Sequence, residues 1–184
     1  MDKGIGFSRT ILLDWLDVTA SLCVQKMGLP EIRQHLTETI SETVHGKEAQ
    51  RKTIDVLVAI WVKTEESAPR IRQEALALFP TLSSSEERLW LHYGMALVCY
   101  PFFRKCVAAI GQVSRTEETI TRALIKERLA GDYGHLGALD RSVERVIASL
   151  TDWGALAHAE QKRNYKIRLR HFSASEALQS WLLT

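Results

Sequence analysis

The stretch Tyr165-Lys166-Ile167-Arg168-Leu169-Arg170 alternates an apolar with a cationic side chain at every step. Successive side chains of a strand point to opposite faces, so the segment reads as a strand with one apolar and one wholly cationic face. Residues 155–159 read as a partner strand and 165–171 as the second arm. Gln161-Lys162-Arg163-Asn164 joins them. Upstream, Leu139, Val143, Val146, Ile147 and Leu150 recur at helical spacing and mark one side of a helix over 138–153, which Gly154 ends. A helix followed by a basic two-stranded ribbon is the closing portion of a winged helix-turn-helix. That motif lays its second helix in the major groove and its ribbon on phosphates.

Charge distribution points the same way. The 184 residues carry a formal net charge of only +2, but residues 1–100 hold 11 Lys/Arg and 13 Asp/Glu, and residues 101–184 hold 13 and 9. Between 154 and 170 the five cations Lys162, Arg163, Lys166, Arg168 and Arg170 face one acid, Glu160. Local excess is what meets a polyanion. The hydrophobic share of 46% suits a folded domain and is too high for disorder.

The rest of the chain reads as helix. Spans at 10–27, 30–45 and 47–62 are separated by Gly28 and Gly46, with Pro30 in an opening turn. A short helix at 68–79 ends at Pro80. Ser83 and Glu86 fit a capping box for a helix presenting Leu89, Trp90, Tyr93, Leu97 and Tyr100 inward, and Pro101 breaks the chain. Phe102, Phe103, Cys106, Val107 and Ile110 form the next stripe. Ser114 with Glu117 opens a helix to about residue 129, using Ile120, Ala123 and Leu124. Gly131, Gly134 and Gly137 follow in a seven-residue connector. Ser173 and Glu176 cap a last helix carrying Leu178 and Trp181. The expected fold class is therefore mostly α: a helical part of about five helices over 1–100, packed on a winged-helix-like part over 101–184 with one β-hairpin.

On this reading, Arg141, Ser142 and Arg145 lie off the buried stripe and are the candidates for groove contacts. Arginine's planar fork suits guanine or phosphate. Lys162, Arg163, Lys166, Arg168 and Arg170 are the candidates for phosphates, with Gln161 and Asn164 at the wing tip. Few base-reading amides lie on the presented helix face, so sequence specificity is expected to be weak. The bland alternatives are a solvated amphipathic helix and a basic strand face that guards an edge against aggregation.

Other chemistries have little footing. Asp152, Glu160 and Lys162 spell D-x7-E-x-K, the pattern of Mg²⁺-dependent nucleases, but Asp152 would sit at a helix end without the larger sheet such sites need. The six histidines include no HxxxH pair, and no GxxxxGK or GxGxxG follows a strand. No catalytic residue, metal ligand or cofactor is expected, and the chain is read as no enzyme. Asp14 and Asp17, one turn apart, read as a solvated face. The three cysteines Cys23, Cys99 and Cys106 form no CxxC and fit a reducing cytoplasm, with Cys106 a core residue. No secretory signal is evident, and the apolar stretch over 11–24 is too short and too charged to cross a membrane.

Three further stretches carry a resemblance: Gly6-Phe7-Ser8 before Ile11-Leu12-Leu13, Glu87-Arg88-Leu89-Trp90 followed by Tyr100-Pro101-Phe102-Phe103, and the helix from Arg141 to Trp153 leading into Gly154-Ala155-Leu156. With this order of features the chain resembles the BrxA family of BREX phage-defence systems in bacteria. The resemblance implies a mainly helical, double-stranded-DNA-binding accessory protein that acts with larger defence proteins and has no catalysis of its own. The competing class is a protein-docking scaffold that uses the winged helix as its contact surface.

Overall fold

The computed structural model describes residues 6–134, 137–168 and 174–184. The chain is mostly helical, with a three-stranded antiparallel sheet in the order β1-β3-β2. It divides into two units. One, the ribbon unit, combines Met1–Thr10 with Tyr100–Arg170. The other, the helical unit, combines Ile11–Cys99 with His171–Thr184. Each unit thus combines a long central stretch with a segment from the opposite end of the chain. No single helix among the described residues is long and apolar enough to cross a membrane.

The helical unit holds α1 (Leu13–Val24), α2 (Leu29–Ser41), α3 (Lys47–Val58), α4 (Thr64–Ser67), α5 (Pro69–Leu78) and α6 (Ser85–Cys99). Between α3 and α4 the helix widens into a π turn over Ala59–Lys63. The regular stripe of α2 buries Ile32, Leu36 and Ile40, as its period requires. Ser84, not Ser83, caps α6: its hydroxyl accepts from the Glu87 amide at 3.1 Å. The inward side of α6 is accordingly Leu89, His92, Met95 and Ala96, while Trp90, Tyr93 and Leu97 are only half-buried.

The final helix of the chain, labelled α10 (Glu176–Leu182), packs its buried Leu178 and Trp181 into this same unit. Ser173, expected as its cap, lies outside the described residues. Ser175 does the capping, accepting from the Leu178 amide at 3.4 Å. The Trp181 indole N–H donates to the Ile71 carbonyl at 3.2 Å, and its ring lies over Gly94. A Cβ at Gly94 would stand 2.6 Å from that ring. Gly94→Ala is therefore expected to cost about 1–3 kcal/mol, because a hydrogen-bonded indole has to move. Thermal unfolding followed by circular dichroism checks this, and an unshifted midpoint refutes it.

The ribbon unit runs α7 (Pro101–Val113), β1 (Ile120–Thr121), α8 (Arg122–Tyr133), α9 (Gly137–Asp152), β2 (Leu156–His158) and β3 (Asn164–Ile167). Two sequence expectations change here. Ser114 opens no helix; it is the C-cap of α7, and its hydroxyl donates to the Gly111 carbonyl. The span to residue 129 divides into β1 and α8, and Thr121 caps α8 by accepting from the Leu124 amide at 3.2 Å. The sheet therefore gains a third strand, with Ile120 opposite Tyr165 and Thr121 opposite Asn164. Gly131 lies inside α8 and Gly137 inside α9, so neither belongs to a connector; residues 135 and 136 lie outside the described residues.

The core of this unit gathers stretches far apart in sequence. Phe7 is fully buried, edge-on to Tyr100 with ring centroids 5.5 Å apart and 5.2 Å from Phe103. Phe103 also meets Trp153 at 5.7 Å. A Cβ on Gly6 would lie 2.8 Å from the Tyr100 ring. Leu139, Val143, Val146, Ile147 and Leu150 are all buried, as the α9 stripe predicts. Cys106 is buried too, and desolvation pushes its thiol up to about 12, which keeps it unreactive.

Candidate nucleic-acid interface

β3 is the central strand of the sheet. It pairs on its other side with β2, placing Leu156 opposite Ile167, Ala157 opposite Lys166 and His158 opposite Tyr165. Directly opposed residues share a face. One face thus carries Ile120, Tyr165, His158, Leu156 and Ile167, and the other carries Lys166. The Arg168 amide donates to the Ala155 carbonyl at 3.1 Å, extending the ladder by one residue, so Arg168 falls on the Lys166 face. The apolar face is only partly covered: Ile120 and Leu156 are buried, Tyr165 is half-buried and Ile167 is 38% exposed. β2 is shorter than the expected 155–159, β3 begins one residue earlier than expected, at Asn164, and the expected continuation over 169–171 lies outside the described residues.

The turn from β2 to β3 is tight. The Asn164 amide donates to the Gln161 carbonyl at 3.1 Å and the Ala159 amide to the Asn164 carbonyl at 2.8 Å. Arg163 takes the left-handed backbone conformation, with φ +68°. Glycine or asparagine occupies such a position without strain, whereas arginine pays a Cβ penalty of about 1–2 kcal/mol there. The turn therefore holds a cation at its tip despite a backbone that disfavours it. Lys162, Arg163, Lys166 and Arg168 are all exposed, and among the described residues none forms an ion pair. Arg170 lies outside the described residues.

The amides are less available than the sequence suggests. Asn164 Nδ2 donates to Gln161 Oε1 at 3.1 Å and to Thr119 Oγ1 at 3.5 Å, so both side chains brace the turn.

On α9 the three expected groove residues separate. Arg141 is exposed. Arg145 is half-buried and donates to Thr10 Oγ1 at 3.4 Å. Ser142 is a correction: it is only 6% exposed, because it neighbours Val143 and follows Leu139 by three positions, inside the buried arc. The helix also carries Asp140, Glu144 and Asp152, so its acids outnumber Arg141 and Arg145.

Counted by unit, the charge separation sharpens. The ribbon unit has 15 Lys/Arg against nine Asp/Glu, a net of +6. The helical unit has nine against 13, a net of −4. Of the D-x7-E-x-K residues, Asp152 ends α9, while Glu160 and Lys162 stand exposed in the ribbon turn. The described residues contain no group of three or more His, Cys, Asp or Glu side chains able to hold a metal ion.

A polar cluster in the helical unit escaped the sequence reading. Asp17, expected on a solvated face, accepts from Arg88 at 3.1 Å and lies 2.8 Å from His92 Nε2. His92 is completely buried, and its Nδ1 accepts from the Trp61 indole N–H at 3.1 Å. That donor fixes the ring proton on Nε2, where it is given to Asp17. Burial holds the imidazole below its ordinary pKa, outweighing the nearby Asp17 carboxylate. Burial alone would raise Asp17, but the His92 and Arg88 contacts prevail and hold it below the usual carboxylate value. Trp61 lies in the π turn, where its carbonyl also accepts from Arg72 Nε at 2.6 Å. With both imidazole nitrogens committed and the ring sealed from solvent, His92 braces the fold and has no free atom for a substrate.

No protein-family model matches the chain, and no curated protein or solved structure is significantly similar to it.

Proposed function

We propose that the ribbon unit is a winged helix-turn-helix and that the chain is a non-catalytic, double-stranded-DNA-binding accessory protein. One observation carries this reading: four exposed cations, Lys162, Arg163, Lys166 and Arg168, none with an ion-pair partner among the described residues, stand on one short ribbon directly after α9. Two features support the motif assignment. The element order is helix, strand, helix, helix, ribbon. The sheet order is β1-β3-β2. The mixed charge of α9 argues for phosphate-directed, weakly sequence-dependent contact led by the wing. The resemblance to the BrxA family supports a role beside larger proteins of a BREX-like defence system.

Fluorescence anisotropy with a random-sequence duplex tests the reading. Log affinity is expected to fall with log salt with a slope of about −3 to −4, since each neutralised phosphate contributes roughly −0.9. Charge reversal in K166E/R168E is expected to weaken binding on the order of 100-fold for any sequence at low salt. A double variant that binds like wild type removes the wing from the interface. A second reading, a protein-docking scaffold, draws on the acids Asp140, Glu144 and Asp152 of α9. A wild-type chain that ignores duplex DNA at low salt favours it.

A further inference from the structure

Beside the wing, the first two turns of α8 and α9 form a closed charge cluster. Arg122 Nη1 lies 3.3 Å from Asp140 Oδ2 and 3.4 Å from Glu144 Oε2, and Lys126 Nζ lies 3.4 Å from Asp140 Oδ1. Two cations are matched by two acids, so the cluster is neutral, while the adjoining ribbon carries four cations that have no ion-pair partner among the described residues. A cleft of about 690 Å³ separates the two surfaces, lined by Thr121, Arg122, Lys126, Asp140, Arg163 and Asn164. Arg163 from the wing tip and the paired Arg122 and Lys126 thus border one opening.

We infer that Asp140 and Glu144 act as built-in stand-ins for phosphate, keeping Arg122 and Lys126 occupied and holding α9 back from the duplex, so that DNA contact is confined to the wing. This deepens the wing reading and rests on it. A carboxylate on a helix that enters a groove faces a phosphate every few ångströms and is repelled. It also withdraws a neighbouring cation from use. The two acids therefore set both the strength and the selectivity of binding: α9 reads few bases because its face is electrostatically unwelcoming to the polyanion.

The pairs are cheap to remove. Their side chains are 39–55% exposed, and ion pairs at such positions contribute little to stability. D140N/E144Q is thus expected to fold as wild type does, which circular dichroism verifies. In anisotropy titrations with random-sequence duplex it is expected to bind about tenfold tighter, with a salt slope steeper by about 1–2 as Arg122 and Lys126 each gain a phosphate. Adding R122Q/K126Q in the same chain is expected to return the affinity to within about twofold of wild type. Should D140N/E144Q lose its fold, E144Q alone serves, with a gain of about threefold expected.

Unchanged affinity and slope in the neutralised variant, or a gain that survives R122Q/K126Q, overturns the inference. Its failure is separable from that of the wing reading. If wild type binds duplex and K166E/R168E does not, while D140N/E144Q equals wild type, only the role of the acids is lost. If wild type binds no duplex, the wing reading and this inference fall together.

Discussion

Phe103→Ala is expected to destabilise the ribbon unit by about 3–5 kcal/mol, the range for emptying a buried aromatic site. Phe103 is fully buried and touches Phe7 from the start of the chain and Trp153 just after α9. Those three rings come from segments that share no helix, so none can slide to fill the void left by the others. Their mutual geometry adds to the area term, since tilted aromatic pairs contribute beyond simple burial. Urea denaturation monitored by tryptophan fluorescence measures the loss, with Trp153 adjacent to the cavity. Phe103→Leu keeps most of the volume and is expected to lose less than half as much. A loss below about 1 kcal/mol for the alanine variant would show that the site collapses freely, contrary to the packing described.

Asp17→Ala is expected to cost about 3 kcal/mol in the helical unit, and to do so in a pH-dependent way. Removal leaves the Nε2–H of a completely buried His92 without an acceptor. It also strips Arg88 of its carboxylate, although that side chain keeps 27% of its surface in water and is the lesser loss. The pH behaviour of wild type follows from the directions of the two shifts. His92 is held below its ordinary 6.5 when folded, so the unfolded chain takes up a proton first. The stability this neutral ring confers is complete above about pH 6.5 and declines as the pH falls toward the folded value. Asp17 is likewise held below its ordinary 3.8, so its contribution is complete above that pH and is lost as acid titrates the folded carboxyl. Both groups act in the same direction, and stability is expected to decline on acidification from about pH 6.5. In Asp17→Ala the carboxylate component disappears. Denaturant midpoints followed from pH 8 down to about pH 2 reveal the difference, and curves for the two proteins that stay parallel below pH 3.8 would contradict it.

The parts of the fold that could be read from sequence are those with a repeating signal. α9 declares itself through five apolar residues at helical spacing, all buried, and the ribbon through alternation around Lys166. What escaped has no period to detect. β1 is two residues long, and its pairing with β3 joins positions 45 apart such as Ile120 and Tyr165. Gly131 read as the start of a loop, yet α8 continues through it to Tyr133. No atom crowds that glycine, and the Tyr133 ring packs edge-on against Phe102 at 5.3 Å, a tertiary gain that outweighs glycine's weak helix propensity. The Asp17–His92–Trp61 cluster spans three segments whose only local signals are an ordinary acid, a lone histidine and an apolar run. At the candidate interface, the cations of the ribbon are legible because charge on a two-residue period is conspicuous. The burial of Ser142 and the neutralisation of Arg122 and Lys126 depend on which way helices turn toward each other, and sequence spacing does not record that.

The crossing of the chain ends has a consequence for biosynthesis. Phe7 is translated before Phe103 and Trp153 and waits for them before its pocket exists, and Gly94 waits for Trp181. A nascent polypeptide therefore cannot finish either unit in order of emergence from the ribosome, and a deletion at Pro101 yields two incomplete halves: one stripped of Phe7, the other of its closing helix. Co-expressed fragments would have to exchange those tails to be made whole.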